Sequence, residues 1–86
     1  MLEPAPRTAA LCRSRKIYAT ALYEDPAATP DNLREAVNTL EDTERTARRV
    51  LGGSHPLTES IELSLRQARA VLAAREASTR LGALAL

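Results

Sequence analysis

At 86 residues the chain has room for one small domain, and a core of that size supplies only about 3–5 kcal/mol. Phenylalanine and tryptophan are absent, Ala and Leu dominate the apolar set, and only Ile17, Val37, Val50, Ile61 and Val71 are β-branched aliphatics, which argues against a sheet and predicts an all-α fold. Twelve basic and 11 acidic side chains leave a net charge of +1, so no global attraction to nucleic acid or to an acidic partner is implied.

The first segment, 1–7 (MLEPAPR), carries two prolines and is expected to fray. From 8 to 23 the pattern turns helical, with Leu11, Tyr18, Ala21 and Leu22 as the expected buried stripe. Between Glu3 and Glu24 there is no acid, whereas Arg7, Arg13, Arg15 and Lys16 are basic. An organelle transit peptide shares that bias, although the stretch also reads well as a helix of the fold. Without interleaved aromatics these cations are expected to form a solvated face rather than a phosphate site.

The nine residues EDPAATPDN then interrupt, a longer connection than a tight helical hairpin needs. Within them Thr29, Pro30 and Asp31 form a start signal: a cap, a first-turn proline and an acid at the positive end of the dipole. The second helix, 31–51, places Leu33, Ala36, Val37, Leu40, Ala47, Val50 and Leu51 on one face. Its outer side offers Glu41 to Arg45 and Glu44 to Arg48, each acid four residues ahead of its base. Glycines 52 and 53 should end it. The third helix, 56–76, buries Leu57, Ile61, Leu65, Ala68 and Leu72 and can pair Glu62 with Arg66. Residues 77–86 are a tail whose periodicity leaves both fraying and helix open. Short connections make successive helices antiparallel neighbours, so 8–76 reads as one module: an antiparallel hairpin plus a third helix.

The turn between the last two helices holds the only histidine. As a general base His55 would need an oriented nucleophile, and Ser54 and Ser60 lack any triad or elbow pattern. As a zinc ligand it would need two or three companions, and one distant Cys12 is not enough. His55 is therefore expected to cap the third helix, with Pro56 starting it. Cys12 has no partner for an intrachain disulfide, which fits a reducing, cytoplasmic setting, and is expected to be an inert, partly buried residue. No apolar run approaches the ~18–20 residues of a membrane span. Gly52–Gly53 follows a helix, whereas phosphate-binding glycine loops follow a strand. No catalytic residue, metal or cofactor site is assigned, and the expected role is not enzymatic.

Residues 33–58, LREAVNTLEDTERTARRVLGGSHPLT, resemble the tetratricopeptide repeats of kinesin light chains and their relatives. In that family a leucine–glycine–x–x–histidine–proline turn joins helix B to the next helix A, and Leu51, Gly52, His55 and Pro56 match it, with Gly53 inside the same structural turn. Ala36 matches the small residue early in helix B. The resemblance implies that 8–23 is a helix A, 31–51 its helix B and 56–76 the following helix A, a partial α-solenoid. It implies scaffold or adaptor duty toward a protein or peptide, with cargo adaptation to a microtubule motor as one family role. Helix 1 lacks the asparagine–leucine–alanine run usual in these helix A segments, and the third helix lacks it too, with IELSLRQ in its place. Tyr18 and Leu22 echo Ile61 and Leu65 at an offset of 43. The alternatives are a small regulatory nucleic-acid-binding helical protein, which the balanced charge disfavours, and an incomplete reading frame without a separate function. With one and a half repeats visible, self-association stays open.

Overall fold

A computed structural model of the chain describes residues 5–85, with side-chain surroundings over 7–78. The described residues form three helices and no strand: α1 (Ala5–Glu24), α2 (Pro30–Val50) and α3 (Pro56–Ala85). The chain is all-helical. α1 begins inside the segment expected to fray, and α3 runs on through most of the tail. Residues 1–4 and 86 lie outside the described residues.

The first connection is shorter than expected, because α2 takes in Pro30 and leaves only 25–29 as linker. Thr29 caps α2: its Oγ1 accepts from the Asn32 N–H at 3.1 Å, and Asn32 Oδ1 accepts from the Thr29 N–H at 3.3 Å. Two of the orphan donors of a helix start are thereby satisfied reciprocally, with Asn in the place usually held by Glu or Gln. Asp25 Oδ1 accepts from the Ala27 N–H at 2.9 Å, which folds the linker back on itself. Arg75 of α3 donates to the carbonyls of Ala28 and Pro26, tying the linker to the third helix.

The three helices pack pairwise, α2 against both neighbours and α1 against α3. α2 buries Leu33, Ala36, Val37, Leu40, Thr43 and Ala47 along one face, as its periodicity predicts, with Val50 and Leu51 half-buried. From α3 come Ile61, Leu65 and Ala68, again as predicted, with Leu57 and Leu72 packed at the margin. Buried Thr58 and Ser64 add two hydroxyls to that face.

α1 differs from its expected stripe by one residue. Cys12, Ala19 and Tyr23 face inward, while Leu11, Tyr18 and Ala21 are exposed and Leu22 is half-buried. The interior takes the smaller set. Ala36, Ala47 and Ala68 of the other two helices are fully buried in the same cluster, and small residues on packed helices let the axes approach closely. The Cys12 thiol comes within 4.0 Å of the Thr43 carbonyl. Tyr23 reaches across to α3, its hydroxyl donating to Gln67 Oε1 at 2.9 Å.

The outer faces of α2 and α3 also differ from expectation. Glu41 pairs with Arg69 of α3 rather than with Arg45, and Glu62 pairs with Arg48 of α2 rather than with Arg66. With Arg34–Glu76 these make a ladder: Arg34–Glu76 at 2.9 Å, Glu41–Arg69 at 2.7 Å and Arg48–Glu62 at 2.7 Å. Each rung is seven residues from the next on both helices and the charges alternate, as in an antiparallel coiled-coil seam. The Glu44–Arg48 pair is present at 3.3 Å, and Arg45 turns instead to Asp42 at 3.4 Å.

Candidate functional site

At the turn from α2 to α3, Leu51 closes α2, its N–H donating to the Ala47 carbonyl at 2.7 Å. Gly52 then takes a positive φ of 94°, with its N–H shared between the Ala47 and Arg48 carbonyls at 3.1 Å each. That left-handed step is where glycine is needed, because a Cβ would strain it. The His55 N–H donates back to the Gly52 carbonyl at 3.3 Å. His55 Nδ1 accepts from the Leu57 N–H at 3.1 Å, Pro56 occupies the first helical position, and the His55 carbonyl accepts from Glu59 N–H at 3.0 Å. Gly53, Ser54 and His55 are exposed, and the hydrogen bonds of this turn are made within it or to the helix ends it joins.

Cys12 lies on another element, buried between α1 and α2. Burial pushes its thiol above the ordinary range, with Arg15 opposing part of that shift, so the nucleophilic thiolate is disfavoured. Among the described residues no three His, Cys, Asp or Glu side chains converge as metal ligands. Among the described residues no helix is long and apolar enough to cross a membrane.

The surface with most to offer is one that sequence periodicity assigned to the core. Leu11, Ile17 and Tyr18 of α1 are 54%, 64% and 50% exposed. With Ala10, Ser14 and Ala21, also turned out of the core, they recur at three- and four-residue steps and form a continuous outward stripe. α1 is thus apolar on two sides. The Tyr18 hydroxyl donates to the Glu35 carboxylate of α2, and this hydrogen bond, followed by burial and the Glu35 charge, raises the phenol above its ordinary range. Arg13 and Arg15 flank the stripe on its two sides and Arg7 stands at its N-terminal end, all exposed and without an ion pair among the described residues. The signal was legible: α1 carries two apolar sets, Cys12, Ala19 and Tyr23 on one side and Leu11, Ile17 and Tyr18 on another, and one core can bury only one of them. α3 repeats the theme more weakly, with exposed Leu63 and the exposed alanines 70, 73, 74 and 77.

Comparison with protein-family models, with curated proteins and with solved structures found no match.

Proposed function

We propose that the chain is a non-catalytic protein–protein interaction module, a tetratricopeptide-like piece of a helical array with scaffold or adaptor duty in the cytoplasm. The observation that carries this reading is the two-sided α1: a helix that buries one apolar face and leaves a second open suits a unit flanked by another helix. The burial pattern adds to it. Ala19 and Ile61, and likewise Tyr23 and Leu65, are buried pairs 42 residues apart, so α1 and α3 occupy similar environments on either side of α2. The offset of 43 suggested by residue likeness fits less well, since Tyr18 is exposed where Ile61 is buried. The capped turn at Leu51–Pro56 holds successive helices at a fixed reach, which a repeat requires and a reaction site does not.

Selection of displayed random peptides against the folded chain, followed by titration calorimetry of the enriched sequences, tests the proposal. Saturable binding to selected peptides and none to their scrambled versions is expected. Absence of any saturable binder, or tighter binding of duplex DNA or RNA at physiological salt, overturns it in favour of the alternatives.

A further inference from the structure

We infer that the outward face of α1 is a docking site for one amphipathic helix whose apolar stripe is bordered by Asp and Glu; this rests on the interaction-module reading and adds the chemistry of the partner. The stripe has relief suited to a helix. Leu11, Ile17 and Tyr18 stand proud of Ala10, Ser14 and Ala21, which leave low ground for the leucines of an incoming helix. Positions 11 and 18, 10 and 17, and 14 and 21 are each seven apart, the repeat that keeps one helix seated on another.

The charges say which helix. α1 has no acid before its final residue, Glu24, and Arg7, Arg13 and Arg15 make no ion pair among the described residues. On α2 and α3, Arg34, Arg45, Arg48 and Arg69 are matched to carboxylates, while Arg49 and Arg66 are single exposed cations away from any exposed apolar stripe of α1. Of the α2 carboxylates, Glu35 is engaged by the Tyr18 hydroxyl and Asp42 by Arg45. The chain's own α2–α3 seam shows how it joins helices, through an apolar strip bordered by opposite charges at seven-residue steps. α1 presents the strip and only the basic half of such a border. A second copy docked face to face would set its arginines against the same arginines, which disfavours that occupant.

Fluorescence anisotropy on the full chain tests this with a labelled synthetic peptide about three heptads long, leucine at its core positions and glutamate at its flanks. A matched peptide with lysine flanks is the control. The acidic peptide should bind at least about tenfold tighter than the basic one, and more weakly as salt is raised. Ile17→Asp, and separately the pair Arg13→Glu and Arg15→Glu, should each weaken it by about tenfold or more. All three positions are exposed, so helical circular dichroism should be unchanged. Equal binding of the two peptides, indifference to the charge reversals, or displacement of the peptide by phosphatidylserine vesicles would overturn the inference. Selected peptides that bind the chain and survive Ile17→Asp would refute this site while leaving the interaction-module reading intact. If no peptide of any kind binds, both fall.

Discussion

The Thr58 hydroxyl is fully buried at the start of α3 with no hydrogen-bond partner, two residues after the proline that begins the helix. An unsatisfied buried hydroxyl costs about 1–3 kcal/mol, and valine has nearly the same shape without it. Thr58→Val should therefore stabilise the chain by about 1 kcal/mol in denaturant melts, where a similar swap at a satisfied site would destabilise. The adjacent His55 works in the opposite direction. His55→Ala removes the acceptor of the Leu57 N–H and should cost about 0.5–2 kcal/mol in the same melts, with no chemical activity lost. At Cys12 the raised thiol means that the folded chain holds its proton more tightly than the unfolded one. Its contribution to stability is thus complete below the ordinary thiol range and is lost as pH rises through the folded value. Native chain should resist iodoacetamide, and urea should release the reaction; fast alkylation of folded protein would contradict the burial of this side chain. Such residue-scale roles were legible only where local chemistry decides them. Thr29 and Gly52 act within their own turn, whereas the fates of Cys12 and Tyr23 depend on helices far away in sequence.

Among the elements, α2 was the most legible because only one of its faces is apolar, and that face has a single place to go. α1 was read one residue out of register. Its larger set, Leu11 and Tyr18, was the natural choice for a core, yet the buried cluster, which is rich in alanine, takes Cys12, Ala19 and Tyr23 instead. Charges were misread for a related reason. Glu41 and Glu62 each have an arginine four residues on, but they also have an opposite charge across the helix seam. Alternation at 34, 41 and 48 against 62, 69 and 76 was visible in the sequence as a heptad of reversed signs. Its role is mainly register. The Arg48 and Glu62 side chains are 50% and 26% exposed, so solvent screens the rung and a coupling of only about 0.2–1 kcal/mol is expected. A double-mutant cycle should find Arg48→Glu destabilising, with Glu62→Arg restoring part of the loss in the double variant. The coupling should shrink as salt is added. Zero coupling at low salt would leave antiparallel register to the apolar seam alone.

At the scale of the whole molecule the chain is long and thin, with extents of 63 × 20 × 15 Å and a radius of gyration of 15.2 Å. A compact domain of this length would have a radius near 12 Å. The 30 residues of α3 account for much of the excess. Its core is correspondingly lean: Ala19, Ala28, Ala36, Ala47 and Ala68 supply much of it, and Leu33, Leu40 and Ile61 are its largest fully buried apolar side chains. Leu40→Ala should remove about 2–5 kcal/mol, comparable with everything such a core provides, and leave the chain largely unfolded by circular dichroism. The open faces of α1 and α3 bear on what the lone chain does in solution. Apolar stripes seek cover, so copies should associate as concentration rises, but alanine buries little area and the arginines bordering α1 repel their counterparts. Self-association should accordingly be weak, and sulfate should strengthen it by screening the repulsion and favouring apolar burial. Docking of an acidic helix should respond to salt with the opposite sign, because there the charges attract. Sedimentation over a range of protein and sulfate concentrations, with melts at each, separates the two. A species that stays monomeric throughout, with a sharp melt independent of concentration, would show that three helices close their own fold. In that case the second face of α1 is simply tolerated in water, and the partial-array reading gives way to a self-contained helical domain.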